Sequence, residues 1–261
     1  MTIYKQELKS GRKAFIIWAA AISFLLVTCV LIYPEMKGEM GEISKTFAEM
    51  GSFSQAFGLD QLNFGEFSGF FGVECGNILG LGGAFFAAMT AVSALAKEEK
   101  EHTAEFLLSH PLSRGKIVSQ KLLSVLTEIV LLNVVVVGIT VLSIAFINEK
   151  PDAGTMALLF LSYFLMQLEI VGICFGISAF ISRGDLGIGL GIAAVFYFLN
   201  IISNLTEEAK ALKYITPFGY TDSANILADK ALNGGYLAFG MVLGVIGISA
   251  AYLKYTRKDI R

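Results

Sequence analysis

The chain has 261 residues, 55% of them hydrophobic and only 16% charged, with a formal net charge of −2. A soluble domain carries about 25% charged residues, so a chain this apolar, with a mean hydropathy of +0.66, lacks the polar surface to cover a water-exposed core. The near-neutral charge averages two opposite populations and gives nucleic-acid binding no support.

The apolar residues fall in runs of about 20, which suits helices crossing a hydrocarbon core about 30 Å thick at about 1.5 Å per residue. The first run, 14–33, follows Lys5, Lys9, Arg12 and Lys13, as a signal-peptide core would. It is longer than the 7–15 residues of such a core and lacks a small-x-small cleavage site. Leu26-Val27-Thr28-Cys29 carries Thr where a lipoprotein box has a small Gly or Ala. The run is therefore read as the first span. Further runs at 69–96, 122–147, 155–181, 187–205 and 236–253 predict an all-α membrane protein of six transmembrane helices in one domain, 1–261. Strands are not expected, because period-2 alternation is absent and an open sheet edge cannot sit in lipid. Cys29, Cys75 and Cys174 lie inside the runs. They read as small buried hydrophobes, not as a disulfide framework or a metal site.

Lys and Arg set the orientation. With the N-terminus inside, segments 1–13, 97–121, 182–186 and 254–261 hold 14 basic residues, against 6 in the longer outer segments 34–68, 148–154 and 206–235. Both termini are thus expected in the cytoplasm. Outside, Met36, Met40, Ile43, Phe47 and Met50 recur at spacings of 3 and 4 over 35–50, which predicts an amphipathic helix at the membrane surface. Segment 206–235 predicts a helix capped by Thr206, a break at Thr216-Pro217-Phe218-Gly219, and a second helix from Thr221-Asp222 toward Leu232.

The inner segment between spans two and three carries the most information. Charges at Lys97, Glu98, Glu99, Lys100, Glu101 and Glu105 accompany Phe106, Leu107 and Leu108. Pro111 disfavours helix at His110, and Ser113 is placed to cap a new helix through Ile117 and Lys121 into span three. A solvated loop explains the charges but not the apolar trio; docking to a partner protein explains both.

Glu99, Thr103, Glu105, Leu107-Leu108-Ser109, Pro111, Ser113-Arg114 and Lys121 resemble the Glu…Gly-Thr-x-Glu-x-Leu-Leu-Ser-x-Pro-Val-Ser-Arg…Lys segment of the permease subunits of type-2 ABC exporters. His102 replaces the usual Gly, and Leu112 the usual Val. Ile215-Thr216-Pro217-Phe218 and the basic tail Tyr255-Thr256-Arg257-Lys258-Asp259 are also similar to that family. The resemblance implies that Glu98, Glu99, Thr103, Glu105, Phe106, Leu107, Leu108, Ser109, Pro111 and Arg114 form a cytoplasmic coupling helix that rests on an ABC ATPase subunit, two copies per complex. It implies a second permease subunit, as a homodimer or with a close paralogue, and a bacterial cytoplasmic membrane location. ATP and Mg would be bound by the partner. This chain, with no Gly-x-x-x-x-Gly-Lys-[Ser/Thr] loop, would hold no cofactor and no metal and perform no catalysis.

Three carboxyl groups fall inside spans: Glu74, Glu128 and Glu169. A charge at the bilayer centre costs about 2.5–3.5 kcal/mol on insertion scales, so each must face protein, water or a partner, with Gln167 and Asn133 as possible partners. Gly72, Gly76 and Gly80 repeat every four residues in span two, as do Gly172 and Gly176, Gly187 and Gly191, and Gly240 and Gly244. Small residues four apart let helix backbones approach, either within one subunit or at a dimer seam. Glu74, Gly72, Gly76, Gly80 and Glu169 are accordingly the candidates for a cargo path or dimer seam. Export of amphipathic peptides or hydrophobic drugs is the expected function; the alternative is an ion-gradient-driven secondary transporter using Glu169, which would favour paired broken helices.

Overall fold

A computed structural model describes residues 2–59, 61–100, 112–182, 186–206 and 208–257. Among them, six helices are long and apolar enough to cross a membrane. Helix α1 (Thr2–Met36) has 35 residues, about 52 Å at 1.5 Å per residue. That exceeds the hydrocarbon thickness, and residues 2–13, read from the sequence as the inner segment ahead of span one, continue its helix. Pro34 lies in its last turn.

Two short helices follow, α2 (Met40–Glu49) and α3 (Ser52–Ala56). The amphipathic helix expected over 35–50 is narrower than its spacing suggested. Met40 is buried, and Ile43 and Phe47 pack on the core, while Met36 belongs to α1 and is exposed along with Met50. The second span is interrupted: α4 (Phe67–Cys75) passes through a π-helical turn, Gly76–Gly80, into α5 (Leu81–Ser93). A short helix α6 (Lys97–Lys100) then opens the loop. Residues 101–111, which include Thr103, Glu105, Phe106, Leu107, Leu108, Ser109 and Pro111, lie outside the described residues.

The third span, α7 (Arg114–Phe146), starts where the sequence places it, with the Ser113 hydroxyl accepting from the Lys116 amide at 3.4 Å. It runs unbroken for 33 residues. Asp152 caps α8 (Ala153–Ser178), and α9 (Leu186–Leu205) leads to a 3-10 helix, Glu208–Tyr214, with Thr206 accepting from Ala209 at 3.3 Å. The chain breaks at 216–219, and Asp222 caps α10 (Ser223–Asp229) before the last span, α11 (Gly234–Arg257).

The second span and α8 form the centre of the bundle, with α1 laid along α7, and α9 and α11 outside. Within their most apolar windows, 67% of α8 is buried against 17% of α9 and of α11, so these last two helices offer most of their surface to lipid or to another subunit. At the α8–α11 contact the backbones nearly touch. A Cβ on Gly172 would lie 2.6 Å from the Gly244 Cα, and one on Gly176 2.8 Å from the Gly247 Cα. For these glycines, close approach within one chain is the observed use. Gly187 and Gly191 face open space.

Candidate functional site

At the end that carries the start of α1 and the end of α11, the two flanks of the loop meet on Lys121. Its side chain is fully buried, donating to Glu7 Oε1 and the Ala94 carbonyl, each at 2.8 Å, and to Glu98 Oε1. One ammonium therefore ties α1, the end of the second span, α6 and α7 together. Lys97 adds a bond to Ser10 at 2.7 Å, and Tyr4 reaches Gln120 and Thr127. Burial pushes the Glu98 carboxyl above its ordinary range, although Lys121 opposes that shift. Glu98 and Glu99 are half-buried on α6, and Arg114 is half-buried in the first turn of α7. The Tyr252 hydroxyl, 2.7 Å from Ser119, brings the end of α11 to the same place. Motif matching singled out Lys121 but not its role, and it missed Glu7. A basic residue one turn into an apolar run was the available signal.

At the opposite end, the π turn borders a cavity of about 410 Å³. An i→i+5 turn holds one residue more than an α turn, which re-aims the residues on either side of it. Gly72, Glu74, Gly76 and Asn77 line one wall, and Asn200, Asn204 and Asp222 stand on others. The aromatic lining includes Phe47, Phe57, Phe64, Tyr163, Tyr197 and Phe218. Phe47 and Phe64 lie 5.4 Å apart, and Tyr197 and Phe218 meet edge to face at 5.5 Å.

The span-two glycines make room for side chains of the same chain. A Cβ on Gly76 would come 3.0 Å from the Tyr163 Oη, and one on Gly80 3.1 Å from its ring. The Ser223 hydroxyl donates to the Gly72 carbonyl at 2.7 Å and lies 3.1 Å from Tyr163 Oη. Glu74 is half-buried and, among the described residues, accepts only a long bond from the Cys29 thiol, 3.6 Å. Asp222 accepts from the Ala224 amide and Asn225 Nδ2, both at 3.0 Å.

Gly72, Glu74 and Gly76 thus come together on one cavity, with Gly80 behind Tyr163. Glu169 lies elsewhere. It is buried against Gly240 and accepts from the Tyr220 hydroxyl at 3.0 Å. Asn133 and Gln167, weighed as partners for the carboxyl groups, bond instead to each other at 2.6 Å across α7 and α8. Glu128 is buried against Gly11 of α1, and a Cβ at that glycine would strike its carboxyl.

A family model described as ABC-2 family transporter protein matches residues 1–260. The chain belongs to the ABC-2 transporter family. No curated protein matches it. This ABC-2 chain is therefore a multi-pass membrane protein, in agreement with its six apolar helices. Its family consists of membrane transport subunits that are generally non-catalytic and normally pair with a separate ATPase subunit. The whole-chain match agrees with the resemblance read from the 97–121 segment.

Proposed function

We propose that this chain is the membrane subunit of an ATP-driven exporter, paired with a second permease subunit and with ATPase subunits that dock on residues 98–114 from the cytoplasm. The family match over 1–260 carries this reading. The ion cluster supports the coupling role: a push on the loop reaches α1 and α7 through Lys121, and α7 continues as one rigid helix to the far end. The membrane is the cytoplasmic membrane of a bacterium, and the distribution of Lys and Arg supports placing this end on its inner side. Cargo is an amphipathic peptide or hydrophobic drug, and the far-end cavity, with its aromatic walls, supports that class. An ion-driven carrier working through Glu169 has less support, since that carboxyl is held by Tyr220 and closed in by Gly240.

The test is co-purification with the products of neighbouring genes. The wild-type chain should bring an ATPase with it, and a variant with Leu107→Asp and Leu108→Asp should not, while still inserting in the membrane. An ATPase that stays bound to that variant would remove the docking assignment.

A further inference from the structure

The far-end cavity has an uneven chemistry that defines what it can hold. Among the described residues, no Lys, Arg or His lines it, while Glu74 and Asp222 both do. Asp222 is partly committed to capping α10 and also borders neighbouring cavities that carry Lys210 and Lys213. Glu74 is different: among the described residues its one hydrogen bond is the weak contact with Cys29, and no cation answers it. A lone carboxyl group this close to an apolar bundle is costly unless it meets a positive partner. Around it stand aromatic faces, which attract a desolvated cation through their quadrupoles, and the amides of Asn77 and Asn200. The volume, about 410 Å³, falls in the range of about 300–1,000 Å³ typical of small-molecule pockets. The π turn, a feature that recurs at functional sites, is what presents Glu74 and Asn77 beside Tyr163.

The geometry points to a binding site for organic cations with an apolar body, the charge held by Glu74 and the body lying among Tyr197, Phe218 and Phe57. It rests on the permease reading only in treating the bound cation as cargo.

The probe is radiolabelled tetraphenylphosphonium, measured by equilibrium dialysis against the purified full chain in detergent micelles, with empty micelles subtracted. Its isosteric anion, tetraphenylborate, serves as competitor. Saturable one-to-one binding of the cation is expected, with little displacement by the anion. Glu74→Gln should weaken binding about tenfold, the size of one charge-assisted contact. Asn200→Lys, which adds a cation to the facing wall, should weaken it at least as much. Glu39→Gln, an equal charge change on the exposed surface, should leave it unchanged. Equal affinity in the first two variants overturns the site. So does anion competition as strong as the cation's own in the unaltered chain, a comparison that needs no variant to fold. ATP hydrolysis by the co-purified complex is read on the same preparation. An active ATPase without cation binding sinks this inference alone, whereas cation binding dependent on Glu74 without any ATPase sinks the exporter reading alone.

Discussion

Lys121 shows what a single side chain contributes to this bundle. A fully buried ammonium persists only with partners, and it has Glu7, Glu98 and a carbonyl. Lys121→Met leaves Glu98 and Glu7 without their buried cation, with only Lys97, 4.0 Å from Glu7, remaining nearby. Such a loss costs about 3–5 kcal/mol for a buried pair, discounted here because Glu7 and Glu98 keep 19% and 13% of their side-chain surface. The thermal midpoint in detergent should fall by several degrees and recover in a Lys121→Met, Glu7→Gln, Glu98→Gln combination; no fall would mean the cluster is idle. Acid titration separates Asp152 from Glu98 by sign. The Thr155 hydroxyl and amide hold the Asp152 carboxyl below its ordinary range. Its stabilisation is complete above the unfolded value, about 3.9, and is lost as pH falls through the lowered one. The stability gap between the wild type and Asp152→Asn should therefore be largest near neutral pH and close in acid. Glu98 runs the other way. Burial raises its value, so its contribution falls as pH rises from the ordinary carboxyl range to the raised one.

Among the elements, the second span and the α8–α11 pair carry the consequences of glycine spacing in different ways. The span-two glycines accommodate Tyr163 and Ser223, and the π turn sets their register. Because that turn takes up one residue more than an α turn, deleting Ile78 should return it to α geometry with Glu74 kept on the same face of the span. The variant should still insert, run as a single species and keep tetraphenylphosphonium binding; lost binding would show that the extra residue itself holds Glu74 in place. In α8, the Cβ of any larger residue at Gly172 meets backbone, which cannot rotate away. Gly172→Leu should lower stability by at least the 1–3 kcal/mol usual for overpacking. Gly187→Leu, in open space, should change the thermal midpoint little.

At the scale of the whole molecule, the start of α1, the end of α11 and the loop flanks gather at one end and the aromatic cavity opens at the other, joined by the unbroken α7. Single cysteines at Lys116 and Glu39 in a cysteine-free background should be labelled by a membrane-impermeant maleimide from opposite sides, Lys116→Cys only from the cytoplasm. Labelling from one side alone would contradict the six-span topology.

Span number, the Ser113 and Thr206 caps and the family were legible from residue order, because lipid demands long apolar helices and caps act within a few residues. Tertiary structure alone decided which polar groups meet. Glu74 and Asp222 are far apart in sequence yet share a cavity, Lys121 finds Glu7 across 114 positions, and Asn133 chooses Gln167 over any carboxyl group. The physical reason is that periodicity reports which face of a helix is apolar, whereas the partner of a buried polar group depends on how neighbouring helices are rotated and how closely they pack. In this chain that packing turns on one extra residue in a π turn and on glycines whose missing side chains bring backbones within contact.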